Sequence, residues 1–242
     1  MHAKISVLSK KGGRAVNEDY CSYKETNDFA CYVVADGLGG YKGGNLASDL
    51  VVNSFLELSL KKESIEYKDI KHSIEETNTI LTKAQKENFE LNSSKSTLVA
   101  LLTDFKSVNW VHVGDSRIYF FRDGHIYHQS KDHSVVQALA DAGEIMVDEI
   151  RFHEDRNKLL RAIGQSNDVK CTINENSVNL RSGDVFLLCT DGFWEYVDED
   201  SMITSLKIVT SPEEWILKLE SVLNERINDN NDNYTAITVW FN

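Results

Sequence analysis

The stretch VVADGLGGYKGG (Val33–Gly44) carries a β-branched apolar run that ends in one carboxylate, Asp36. Gly37, Gly39, Gly40, Gly43 and Gly44 follow within eight residues, out of 13 glycines in the whole chain. Taken back to Phe29, the segment FACYVVAD is apolar and β-branched, which predicts a buried strand closing on Asp36. Glycines packed so densely after it let the chain turn sharply and let backbone or a ligand come close.

Outward from this point the pattern changes period. NLASDLVVNSFLELSLKK places Leu46, Leu50, Val51, Phe55 and Leu58 at helical spacing, and Tyr67 to Leu91 continues with Ile70, Ile74, Ile80, Leu81 and Ala84. Two helices are expected here. Upstream, KISVLS alternates weakly, as a strand would. Downstream, TLVALLTDF, SVNWVHVGD and SRIYFFRDGHIYHQ are rich in β-branched and aromatic residues, and Asp123-Gly124 between apolar runs predicts a two-residue hairpin turn. Residues 131 to about 167 are mixed, with a short helical pattern at Ser134–Ala142, and read as an excursion. SVNLRSGDVFLLCTDGF predicts two strands around Ser182-Gly183. Pro212–Ile227 predicts an amphipathic helix carrying Trp215, Leu217, Leu219, Val222 and Ile227, and YTAITVWF a closing strand. Runs of strands with segregated helices indicate an α+β fold on antiparallel sheets.

Composition sets the outer bounds. The 242 residues carry a net charge of −12, which leaves no broad basic face and argues against nucleic acid as a partner. Cys21, Cys31, Cys171 and Cys189 form no C-x-x-C pair, so neither a zinc ribbon nor a disulfide framework is indicated, and a cytoplasmic setting is expected. The N-terminus lacks an apolar signal region, and no run approaches the roughly 18 apolar residues of a membrane span.

The acids are placed with a pattern. Apolar runs abut Asp36 in VVADG, Asp115 in VHVGDSR, Asp191 in FLLCTDG and Asp232 in DNYTAITV. Turn chemistry accounts for any one of them. As a set they would repel one another and resist desolvation if they converged. Hard cations with oxygen ligands, Mg²⁺ or Mn²⁺, would allow them to coexist ionised, with the Gly37 carbonyl available to the same cation. The N-terminal GGRAVNEDY adds Arg14, a guanidinium suited to holding phosphate, and the acidic pair Glu18 and Asp19. Two metals with a bridging hydroxide, plus an arginine, suit in-line attack on a phosphate ester.

RAVNEDY, VVADGLGGYKGGNLAS, STLVALL with VGDSR, HEDRNKLLRAIG, LLCTDGFWEYV and DNYTAITV together, in this order, resemble the metal-dependent protein serine/threonine phosphatases of the type 2C class, in their bacterial single-domain form. The resemblance runs along nearly the whole chain. It implies one catalytic domain over residues 1–242, folded as a four-layer αββα sandwich of two antiparallel sheets flanked by helices, with a flap at about 131–157. It implies Mn²⁺ or Mg²⁺, two at the core site and a third beside them. Asp36 would bridge two metals, with the Gly37 carbonyl, Asp191 and Asp232 completing the pair. Asp19 and Glu18 would act at this centre directly or through water. Asp115 with Asp191 would hold the third metal, and Arg14 would bind the substrate phosphate. Phosphoserine and phosphothreonine proteins would be the substrates, hydrolysed directly by water. A Ser/Thr kinase is an implied partner, no membrane is, and a monomer is expected.

One departure is visible. Some members carry a histidine just after the D-G pair as leaving-group acid; this chain has Leu38. His112 reads as strand packing, and His133 and His153 fall within the flap region. The reading from a different class is a catalytically inactive phosphoprotein-binding regulatory domain, which loss of Asp36, Asp191 or Asp232 would favour; all three are present. DNNDN (Asp229–Asn233) fails as a calcium loop, because Tyr234 and Trp240 stand where glycine and glutamate are required. No G-K-[ST] follows the glycines, so a nucleotide-binding loop also fails.

Overall fold

The computed structural model describes residues 1–39 and 43–242; Gly40 of the opening run lies outside them. Chain order is β1 (Ala3–Lys10), β2 (Asp19–Glu25), β3 (Ala30–Leu38), α1 (Gly43–Lys62), α2 (Tyr67–Glu87), β4 (Lys95–Ser96), β5 (Leu98–Thr103), β6 (Ser107–Val113), β7 (Arg117–Arg122) and β8 (His125–Gln129). It continues with α3 (Val135–Asp141), β9 (Thr172–Ile173), β10 (Val178–Asn179), β11 (Val185–Cys189), α4 (Asp191–Trp194), α5 (Glu199–Leu206), α6 (Pro212–Arg226) and β12 (Tyr234–Phe241). One sheet has the order β1-β12-β11-β7-β8; the other runs β10-β6-β5-β3-β2, with β4 on β3 and β9 on β6. All pairings are antiparallel.

Three apolar layers separate four layers of structure, as the αββα expectation requires. Tyr32, Val34, Leu101, Phe120, Phe186 and Ile237 pack between the sheets. The alternate residues of the same strand, Cys31, Val33 and Ala35, face the other way, against Val51 and Phe55 of α1 and Ile74 of α2. On the far side Tyr119 and Leu187 meet Met202 of α5 and Trp215 and Leu219 of α6. A strand covered on both faces needs apolar residues at every position, which is why FACYVVA shows no alternation although its sheet is antiparallel. Phe120 and Phe186 stack across β7 and β11 with centroids 4.4 Å apart, and Trp110 of the opposite sheet lies 6.3 Å from Phe120.

Several local expectations hold. The Asp123-Gly124 turn joins β7 to β8, both residues at positive φ (54° and 74°), as a type I′ hairpin demands. Ser211 accepts a hydrogen bond from the Glu214 amide and Pro212 occupies the first turn, which fixes the start of α6.

Others are corrected. Leu217 is 63% exposed and α6 packs through Trp215, Ile216, Leu219 and Leu223, because position 217 lies on the opposite side of a 3.6-residue turn. In α1 the deepest residues are Ala47, Val51, Val52, Phe55 and Leu56, with Leu46 and Leu50 at the margin. The helix expected to reach Leu91 ends at Glu87, before a 3₁₀ turn at Phe89–Leu91. The two strands expected around Ser182-Gly183 are present as β10 and β11, which belong to different sheets: β10 pairs with β6, and β11 with β12 and β7. Residues 131–157 contain α3 and a 3₁₀ turn at Val147–Phe152, anchored through Val136 and Ile150 to the core beneath α5 and α6.

Candidate metal centre

Acids from both sheets meet at one end of the sandwich. β2 and β3 bring Asp19 directly opposite Asp36. Asp115 follows β6 at a tight turn in which Gly114 has φ of 100°. From the other sheet, Asp191 opens α4 directly after β11, and Asp232 stands two residues before β12. The resulting cavity of about 270 Å³ is lined by Asp36, Asp115, Asp191 and Asp232, with Arg14 and Glu18 on its rim. Every acid read from the sequence is therefore in or beside a single site. A larger groove of about 1150 Å³ is lined by Arg117, Arg151 and Glu195 among others, and by none of these aspartates.

The electrostatics of the cluster are unfavourable in isolation. Burial holds Asp36 well above the ordinary carboxylate range, and Asp191, Asp19, Asp115 and Asp232 all push it further. Asp191 is raised in the same way, by burial and then by Asp115, Glu195 and Asp232. Burial lifts Asp19 and Asp115 to about 7 each. Glu18 is raised by burial and by Asp232. Two buried oxygens, Asp19 Oδ1 and Asp115 Oδ1, have no hydrogen-bond partner among the described residues. An orphaned buried carboxylate oxygen is costly unless something else binds it.

The other bonds in the site orient the acids. Thr190 Oγ1 donates to Asp19 Oδ2 at 2.9 Å. The Asp36 amide donates to Thr97 Oγ1 at 2.8 Å, and that hydroxyl lies 2.7 Å from Ser116 Oγ, so one contact chain links the backbone of Asp36 to the neighbour of Asp115. Trp194 Nε1 donates to the Asp115 carbonyl at 2.9 Å, tying α4 to the same loop. Arg14 Nη2 donates to Asp232 Oδ2 at 2.7 Å. Among the described residues no three acid, histidine or cysteine side chains stand in a finished metal cage: Arg14 and Thr190 each engage an acid that would contribute to one.

The glycines are explained by close approach. A Cβ on Gly37 would fall 2.0 Å from the Gly44 carbonyl oxygen and 2.8 Å from that of Glu18. The end of β3, the start of α1 and the Glu18 backbone cross here with no room for side chains.

Leu38 lines the cavity, and among the described residues no histidine does. His112 and His133 stack with ring centroids 4.5 Å apart, and His133 accepts from the Gly114 amide through Nδ1 at 3.2 Å. His153 Nδ1 accepts from the Asp155 amide. The histidines of the 131–157 segment thus brace backbone and stand away from the acids. Sequence reasoning passed over Thr97, Thr190 and Asn233; all three lie within the quoted motifs, but nothing in composition marks a threonine or asparagine as a brace.

The protein phosphatase 2C profile matches residues 9–224, nearly nine-tenths of the chain. The chain belongs to the protein phosphatase 2C family. It is 32% identical over 214 residues to the serine/threonine phosphatase stp of Listeria monocytogenes, covering 86% of this chain and 83% of that one. Its fold superposes on the serine/threonine phosphatase Stp1 from Staphylococcus aureus with a TM-score of 0.88 at 26% identity, over 100% of this chain and 96% of that one. It also matches the catalytic domain of serine threonine protein phosphatase PstP in complex with two manganese ions, with a TM-score of 0.81 at 27% identity, over 98% and 97% of the two chains. No helix among the described residues is long and apolar enough to cross a membrane.

Proposed function

We propose that this chain is a metal-dependent protein serine/threonine phosphatase that hydrolyses phosphoserine and phosphothreonine by direct attack of water. The observation that carries the proposal is the convergence of four aspartates from two sheets on one cavity, with Asp19 paired opposite Asp36 beside it and two buried carboxylate oxygens without partners among the described residues. The all-oxygen donor set fits Mg²⁺ or Mn²⁺ rather than a softer metal, and a PstP relative holds two manganese ions. Asp36, the Gly37 carbonyl, Asp191 and Asp232 would hold two cations; Asp115 with Asp191 would hold a third. Bound cations would neutralise the acids, lower the pKa of an attacking water and stabilise charge on the phosphate.

The protein's own groups have separate tasks. Arg14 sits on the rim, its side chain 56% exposed, free to exchange its bond to Asp232 for a bidentate hold on a substrate phosphate. Asp19 and Glu18 would orient water or a ligand from below. Leu38 supplies no proton, so leaving-group protonation falls to water. Residues 131–157 would act as a flap, since Asn157 at its far end, with Leu159 just beyond it, lines the cavity. Phosphoproteins are the proposed partners, with a Ser/Thr kinase acting on the same substrates.

The test is phosphate release from a phosphothreonine peptide with Mn²⁺, with Mg²⁺ and with chelator, beside Asp191→Asn. Release that needs metal and disappears in Asp191→Asn is expected. Folded protein that binds metal and releases nothing would support the inactive phosphoprotein-binding reading.

A further inference from the structure

Arg14 belongs to an exposed loop, Lys11–Asn17, yet its guanidinium must stand at a fixed place over the acids to meet a phosphate. Its own ion pair cannot fix it. Both partners are substantially exposed, 56% for Arg14 and 36% for Asp232, and exposed pairs contribute little. The fixed contact lies underneath. Asn233 is 4% exposed. Its Nδ2 donates to the Lys11 carbonyl at 2.8 Å and to the Val16 carbonyl at 3.0 Å. Its Oδ1 accepts from the Glu18 amide at 2.8 Å. These three bonds bracket Arg14 on both sides and reach the acidic residue that follows.

The orientation of the carboxamide is unambiguous, since two carbonyls face the nitrogen and an amide N–H faces the oxygen. The same residue's backbone amide donates to Asp232 Oδ1 at 2.8 Å. Asn233 thus joins the Arg14 loop to the carboxylate that Arg14 touches, 218 residues away in sequence. The site needs two donors and one acceptor on a short stem. Aspartate would repel both carbonyls, and a serine offers one donor where two are used.

We infer that Asn233 is the positioning residue for Arg14, holding the 11–18 loop so that the guanidinium stands over the acid cavity. The inference rests on the reading of Arg14 as the phosphate-binding group.

The experiment compares wild type, Arg14→Ala, Asn233→Ala and the double variant, each loaded with Mn²⁺. It measures KM and kcat for a phosphothreonine peptide, inhibition by inorganic phosphate, and the first site of trypsin cleavage. Arg14→Ala is expected to weaken phosphate inhibition about tenfold, the scale of one charge-assisted contact. Asn233→Ala should weaken it by a similar factor, and the double variant should be within about twofold of Arg14→Ala alone, because both changes remove one interaction. Trypsin should cut Asn233→Ala first in the 11–14 segment, well before wild type. Phosphate inhibition unchanged in Asn233→Ala, or factors that multiply in the double variant, would overturn the inference. If Arg14→Ala itself leaves phosphate inhibition unchanged, the phosphate role of Arg14 fails, and the trypsin cut alone then decides whether Asn233 holds the loop. Should Asn233→Ala not fold, Asn233→Ser, which keeps one donor, takes its place in the same comparison.

Discussion

Asp19 and Asp36 stand directly opposite each other in the antiparallel pairing of β2 and β3. Like charges facing across a strand pair are destabilising, and here both are also desolvated. The sequence places an energetic penalty where the proposed cations would bind.

A pH dependence of stability follows. Burial raises Asp19 and Asp115 to about 7 in the folded chain, against an ordinary aspartate value near 4. Between these limits the folded state binds more protons than the unfolded state, so stability falls as pH rises. The stability is fully present below about pH 4 and is lost as pH passes through about 7. Metal-free protein should therefore melt lower at pH 7.5 than at pH 5.5, and Mn²⁺ should raise the midpoint more at the higher pH. Thermal unfolding with and without chelator at the two pH values checks this; an equal Mn²⁺ effect at both would contradict it.

Asp36→Asn should separate stability from function. It removes a charge that four neighbouring acids oppose. The metal-free variant is expected to gain about 1–2 kcal/mol, at roughly 2–4 °C per kcal/mol for a chain of this size. Turnover should fall at least about a hundredfold. Calorimetric melting and phosphate release on the same preparations measure both. A variant that melts lower than wild type in chelator would show that the penalty is not there.

Gly37→Ala tests the backbone crossing. The added carbon would meet two backbone oxygens, at 2.0 Å and 2.8 Å, and neither can swing aside as a side chain would. The expected cost is about 1–3 kcal/mol or more, accompanied by weaker Mn²⁺ binding, because β3 must shift at the residue next to Asp36. Metal affinity equal to wild type would mean that the crossing does not position the site.

Asp184 supplies a stability test remote from the acids. It is 1% exposed and pairs with Arg122 through two bonds of 2.7 Å. Asp184→Ala strands a largely buried guanidinium at the end of β7 and should cost about 3–5 kcal/mol. Activity per folded molecule should be unchanged. Urea unfolding beside phosphate release reads the two separately, and a loss of turnover greater than the loss of folded protein would overturn the assignment.

The fold was legible where burial is two-sided or one-sided in a regular way. FACYVVA, VFLLC and YTAITVWF announce strands because both faces are covered, and α6 announces its start through Ser211 and Pro212. β2 was not legible: it is an edge strand with only Asp19 buried among its seven residues, so no apolar alternation exists to be read. α5 was missed for a related reason, since only Met202 and Ser205 of its eight residues are buried. Asp36, Asp115, Asp191 and Asp232 were legible because each adjoins an apolar run, whereas Glu18 and Asp19 stand in a polar segment and were placed by the resemblance. The braces of the acids were not legible, because Thr97, Thr190 and Asn233 act through geometry between segments far apart in the chain. Arg14 lines the same cavity as the acids, but its bond to Asp232 could not be foreseen from spacing.

The measurement that bears most directly on the central claim is a calorimetric titration of metal-free protein with Mn²⁺ at neutral pH, run beside Asp36→Asn. The claim is that these carboxylates share one cavity because cations bind them there. At least two Mn²⁺ per wild-type chain, with binding sharply reduced in Asp36→Asn, is the predicted result. Folded wild-type protein that binds no Mn²⁺, or a variant that binds as many ions as tightly, would contradict it.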